Sequence, residues 1–138
     1  LAIGIAPTKL KHLDILKDHG IKSIISLCDT SEANPPSKIS EIFRCERIVL
    51  PDHKYNRELK INEISDVIKK MKNMEDEMPI YVHCLAGKER SPLICMAWLR
   101  VKKRISNLQA LQYMLQVHPG TCPIDSHLVV LDKYIENL

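Results

Sequence analysis

No stretch of this 138-residue sequence approaches the roughly 18 consecutive apolar residues that a membrane-crossing helix requires. The opening LAIGIAPTKLKHL lacks the basic start and longer apolar core of a secretory signal. Beginning inside an apolar stretch without Met, it reads as a trimmed chain. Glycine is scarce, at four, and proline stands at eight, which excludes collagen-like and glycine-rich linker sequences. Neither sign of charge dominates: 20 basic and 17 acidic residues leave +3, too little to call for a nucleic-acid partner. The five cysteines (Cys28, Cys45, Cys84, Cys95 and Cys122) include no CxxC pair, against a zinc knuckle or a disulfide-stapled scaffold. Reduced thiols, mostly buried, in a cytoplasmic protein are the expectation.

What is present is an ordinary globular composition, 45% hydrophobic and 27% charged, in a length that suits a single domain over residues 1–138. Residues 2–5 read as a short strand stopped by Pro7. Thr8 stands where it could cap a helix carrying Leu10, Leu13 and Leu16, which Gly20 ends. Ser23–Leu27 is rich in β-branched residues, and strand, helix and strand in so short a span predict a parallel βαβ unit. The polar stretch 30–41, with Pro35-Pro36, predicts a loop holding at most a short helix, and 43–50 a strand closed by Pro51.

An amphipathic helix is expected over 56–75, its stripe made by Ile64, Val67, Ile68, Met71 and Met74. Ile80–His83 is short and apolar enough for a central strand. Ile94, Ala97, Trp98 and Val101 mark the next helix. Ser106 and Gln109 form a capping box for another, expected to bury Leu108, Leu111 and Leu115 and to end at His118-Pro119-Gly120. A last helix from about residue 124 turns Leu128, Leu131 and Ile135 inward. The sum is an α/β fold, with a central, mainly parallel sheet of about four or five strands flanked by helices.

The informative segment is Val82-His83-Cys84-Leu85-Ala86-Gly87-Lys88-Glu89-Arg90-Ser91. A strand ends in a cysteine, a loop follows, and an arginine opens a helix. The N–H groups of Leu85, Ala86, Gly87, Lys88, Glu89 and Arg90, wrapped at a helix N-terminus, converge on one spot and favour an anion there. Gly87 permits the tight turn, and the Arg90 fork suits two phosphate oxygens at once. Cys84 would lie at the floor, where the same positive potential favours thiolate over thiol. His83 is placed to hydrogen-bond behind the loop, and Ser91 to donate to the sulfur.

HCLAGKERS resembles the HCxxGxxR[S/T] signature of the cysteine-dependent protein tyrosine phosphatases, and the spacing from Asp52 to Cys84 resembles their dual-specificity branch. The resemblance implies a phosphotyrosine phosphatase-like fold, Cys84 as nucleophile, Arg90 as phosphate clamp, Ser91 as the aid to thiolate departure and Asp52 as general acid, with no metal and no cofactor. Asp29 and Asp66 are rival acids. The implied substrates are phosphotyrosine and, in a shallow pocket, phosphoserine and phosphothreonine of proteins, or a small phosphomonoester. Lys88 within the loop keeps a phosphoinositide or other non-protein phosphate as an alternative. Glu89 departs from the usual small residue and is expected to point outward, neutralised by Lys88. If it leaned inward it would oppose the phosphate, which keeps a catalytically weak phosphate-binding protein as a further alternative. A nucleotide P-loop is excluded because Val82 and Glu89 stand where it needs Gly and Ser or Thr. A rhodanese-like loop would explain Cys84 but not Asp52, Arg90 and Ser91 together.

Overall fold

In the computed structural model, which describes residues 1–138, the sheet alternates between two cores because strand side chains alternate between faces. Four strands, β1 (Ala2–Gly4), β2 (Ser23–Ser26), β3 (Arg44–Arg47) and β4 (Ile80–His83), pair in parallel in the order β1-β4-β2-β3. Ile25, Ile80 and Val82 face the larger core, built with α3 (Ile61–Asn73), α4 (Arg90–Lys103), α5 (Asn107–Val117) and α6 (Asp125–Glu136). Ile24 faces a smaller core with Leu13 of α1 (Leu10–Asp18), Ile21 and Phe43, flanked by Ile39 of the short α2 (Ile39–Ile42). β4, bonded on both edges, ends beside β2, and both strands deliver their following loops to one crevice, where parallel α/β sheets place ligands.

Several boundaries differ from the sequence expectations. The strand expected over 43–50 is confined to Arg44–Arg47, because Phe43 closes α2 and turns into the smaller core. The helix expected over 56–75 begins only at Ile61, where the Glu63 carboxylate accepts the Lys60 N–H at 2.8 Å, and ends at Asn73. Lys9, not Thr8, is the N-cap residue of α1, and His12 Nδ1 accepts the Thr8 and Lys9 N–H groups at 3.0 and 3.2 Å. The Ser106–Gln109 capping box forms as read, with Gln109 N–H on Ser106 Oγ at 3.1 Å and Ser106 N–H on Gln109 Oε1 at 2.9 Å. Leu108 and Leu115 are nevertheless exposed, and Ala110 and Met114 are the buried face of α5. Cys122 is exposed and Cys45 half-buried, against the expectation of mostly buried thiols.

Candidate active site

The loop between β4 and α4 is held from three sides. Gly87 adopts φ +71°, and a Cβ there would stand 2.9 Å from Gly4 O, so the position requires glycine twice over. Ala6 N–H donates to Leu85 O at 3.1 Å, Cys122 N–H to Lys88 O at 2.7 Å, and His118 Nε2 to Gly87 O at 2.6 Å. The anchors before β2 and after α5 thus fix the curvature that the loop's own residues begin.

His83 is buried and turned away from the cleft, as the sequence suggested. Its Nδ1 donates to Cys84 O at 2.9 Å, and its Nε2 accepts from Ser26 Oγ at 2.6 Å. Burial pulls its pKa down to about 4 against the opposing hydrogen bond to Cys84 O, so the ring is neutral and this donor–acceptor pattern is fixed.

Cys84 lies at the floor of the cleft with 2% exposure, its Sγ 3.3 Å from Ser91 Oγ. Burial alone would raise the thiol pKa. Hydrogen bonds from the Ser91 hydroxyl, the Ser91 and Gly87 N–H groups and the Arg90 charge together outweigh it, and the pKa falls below the ordinary thiol range.

Arg90 is equally buried, and its donors are almost all engaged. Nη2 donates to Glu32 Oε1 at 2.8 Å and approaches Asp52 Oδ2 at 3.5 Å, while Nη1 donates to Glu32 Oε2 and to Leu50 O, each at 3.1 Å. Nε is buried with no partner. Glu32 also accepts from Tyr55 Oη at 2.7 Å and from Asp29 N–H at 2.9 Å, and the Tyr55 ring lies 5.9 Å from the Arg90 guanidinium carbon. The Arg90 hydrogen bond above all holds the Glu32 carboxyl down at about 2, against its own burial. Glu32 and Tyr55 were not singled out from the sequence. Their only signal there is the general need of a buried arginine for a carboxylate.

Asp52 reaches the cleft from the loop after β3. Its Oδ1 accepts the Lys54 N–H at 2.8 Å. The rival acids do not reach it: Asp29 accepts from Thr30 N–H and Ser31 Oγ, each at 2.8 Å, and Asp66 is exposed on α3. Leu85, Ala86 and Lys88 line the cleft, of about 160 Å³, with Lys88 exposed at the rim. Glu89 corrects the expectation made for it. It neither points outward nor pairs with Lys88, but crosses to the Asp52 loop and accepts the His53 N–H at 3.1 Å and Nδ1 at 2.5 Å. Asp52, His53 and Glu89 could each offer a cation one atom, all within 4.8 Å of one another, but the His53–Glu89 hydrogen bond already occupies two of those atoms.

Comparison with known proteins agrees with this geometry. Residues 3–137 match the family model for the dual specificity phosphatase catalytic domain. Among curated proteins, a phosphatidylglycerophosphate phosphatase of Arabidopsis thaliana is 25% identical over 97% of this chain, which spans 59% of that protein. Dual specificity protein phosphatase 1-A of Xenopus laevis is 32% identical over 75% of this chain, with 27% of its own length covered. The active form of Tk-PTP superposes with a TM-score of 0.83 at 16% identity, over 99% of this chain and 91% of that one. The human tyrosine phosphatase-like serine/threonine/tyrosine-interacting protein gives 0.82 at 18% identity, over 99% and 92%. At those identities the superpositions speak to the fold.

Proposed function

The chain belongs to the dual specificity phosphatase catalytic-domain family, and on that premise we propose that it hydrolyses phosphoric monoesters through a phosphate ester of Cys84. The observation that carries the proposal is the pairing of a thiol held below its ordinary pKa with a buried arginine whose Nε–H alone lacks a partner. The Cys84 thiolate attacks phosphorus in line and forms the S–P bond as the ester P–O bond breaks. Asp52 gives its proton to the departing oxygen, a contribution of roughly 10²–10⁴-fold where the leaving group is poor. Loop N–H groups and Arg90 Nε hold the equatorial oxygens in both steps. Water then attacks the cysteinyl-phosphate and Asp52 takes its proton. The S–P bond breaks toward a thiolate that the Ser91 hydroxyl stabilises.

The substrate class that the cleft favours is a non-protein phosphomonoester, a phospholipid head group above all. Its lining is polar and charged apart from Cys84, Leu85 and Ala86, with no Phe, Tyr or Trp, and Lys54 and Lys88 add positive charge suited to a multiply charged head group. The match to a phosphatidylglycerophosphate phosphatase across 97% of the chain supports the same reading. A second reading, hydrolysis of phosphotyrosine, phosphoserine or phosphothreonine in proteins, is supported by the 32% identity to a dual specificity protein phosphatase. Turnover of phosphatidylglycerophosphate, a phosphoinositide and a phosphotyrosyl peptide, by the wild type and Lys88→Ala, separates them. Faster lipid turnover that Lys88→Ala depresses selectively supports the first reading; faster peptide turnover, insensitive to Lys88, supports the second.

A further inference from the structure

A carboxylate in the wall of an anion-binding cleft opposes the anion unless it does something else. Glu89 is the last residue before Arg90, at the N-terminal end of α4, where the helix dipole favours its charge. Its side chain leaves the phosphate loop and accepts two hydrogen bonds from one residue of another loop, the main-chain N–H of His53 at 3.1 Å and the His53 Nδ1 at 2.5 Å. His53 directly follows Asp52. The next N–H along, that of Lys54, donates to Asp52 Oδ1 at 2.8 Å, so the peptide that Glu89 grips sits inside the turn that orients the Asp52 carboxylate. Arg90 also holds this segment, through Nη1 on Leu50 O at 3.1 Å and Nη2 near Asp52 Oδ2 at 3.5 Å, and Tyr55 joins Arg90 by way of Glu32, but Glu89 alone grips the residue that directly follows Asp52. The His53 ring is otherwise largely exposed, so its orientation rests on Glu89.

We propose that Glu89 is a positioning residue, clasping the Asp52 turn to the phosphate loop through His53 so that the acid faces the departing oxygen. The inference rests on the reading of Asp52 as general acid given above. Glu89 touches neither the reacting atoms nor the oxyanion in this scheme. It acts through the placement of Asp52, and its own negative charge slightly weakens anion binding.

The test compares phenyl phosphate, whose leaving group needs a proton, with p-nitrophenyl phosphate, whose leaving group hardly does, in the intact chain. Asp52→Asn, Glu89→Ala, Glu89→Gln and His53→Ala are each measured for kcat on both esters and for inhibition by inorganic phosphate. Glu89→Ala is expected to lower kcat on phenyl phosphate about tenfold more than on p-nitrophenyl phosphate, in the direction of Asp52→Asn but to a smaller extent. Inorganic phosphate is expected to bind Glu89→Ala at least as tightly as the wild type, because a like charge is gone. His53→Ala, which keeps the main-chain contact, and Glu89→Gln, which keeps one acceptor oxygen, fall between. Equal losses of Glu89→Ala on both esters, or weakened phosphate binding, overturn the clasp and reduce Glu89 to a structural role. If Asp52→Asn shows the ester selectivity and Glu89→Ala does not, the clasp alone falls. If Asp52→Asn lacks it too, the assignment of the acid falls and takes the clasp with it.

Discussion

The carboxylate of Glu32 grips the Arg90 guanidinium through two hydrogen bonds, 2.8 Å to Nη2 and 3.1 Å to Nη1. The pair fixes the plane of the guanidinium and leaves Nε without a partner, the donor that the proposed mechanism assigns to the oxyanion. Glu32 is also the nearer of the two carboxylates, with Asp52, that neutralise this buried cation, and leaving such a charge short of a partner costs several kcal/mol.

Glu32→Ala is therefore expected to destabilise the protein by about 3 kcal/mol and to weaken vanadate or phosphate binding about tenfold. Denaturant unfolding and inhibition titrations check both. The pH dependence follows from the same bond. Glu32 titrates at about 2 in the folded state, below the roughly 4.3 of a free glutamate, so its contribution is complete above that range and is lost as the pH falls from about 4 towards 2. Glu32→Gln should flatten the acid limb of the stability curve in that window.

His83 makes a second, separable prediction. Its pKa of about 4 lies below the roughly 6.5 of a free imidazole, so below pH ~6.5 the unfolded chain binds a proton that the folded one refuses. Stability is expected to fall by roughly 3 kcal/mol between pH ~6.5 and ~4 from this group alone. His83→Gln loses that slope in unfolding measurements across the window. It also loses the tie to Cys84 O, since one amide cannot reproduce both ring contacts.

Ser91 Oγ stands 3.3 Å from Cys84 Sγ, and the proposed mechanism has it act on the second half of the cycle. Ser91→Ala is expected to raise the Cys84 pKa and to slow breakdown of the intermediate about tenfold while leaving its formation less affected. Stopped-flow hydrolysis of p-nitrophenyl phosphate should then show a product burst close to one equivalent per enzyme, larger than that of the wild type. A uniform slowing without a burst would contradict the role.

The parts of the site legible in the sequence are those whose residues are contiguous. From His83 to Ser91 the chain writes out strand end, loop and helix start, and backbone geometry alone then brings Cys84, Gly87, Arg90 and Ser91 together. Asp52 was reachable by resemblance, because one strand end carries it to the same crevice. Glu32, Tyr55 and His118 were not legible. Each comes from a different loop, and nothing in the order of the 17 acidic residues marks which one meets Arg90. Glu89 was read for its charge against phosphate, and the partner that decides its direction, His53, is set only in three dimensions. The fold shows the same division. The β-branched run at β2 and the short apolar run at β4 were enough to predict a central sheet, but the face of α5 was not legible: Ala110 and Met114, rather than the larger Leu108 and Leu115, pack inward. Arg47, a charged residue at the end of β3, donates to the Cys28 carbonyl, a partner set only by the fold.

The proposed mechanism depends most on the sulfur at position 84 becoming bonded to phosphorus. Acid-quenching the enzyme during turnover and mapping its peptides by mass spectrometry tests that directly. The phosphate should appear on the peptide carrying Cys84, at higher occupancy in Ser91→Ala, and Cys84→Ser should bind vanadate but turn nothing over. Steady hydrolysis with no phosphorylated Cys84 peptide, persisting in Cys84→Ser, would contradict the mechanism.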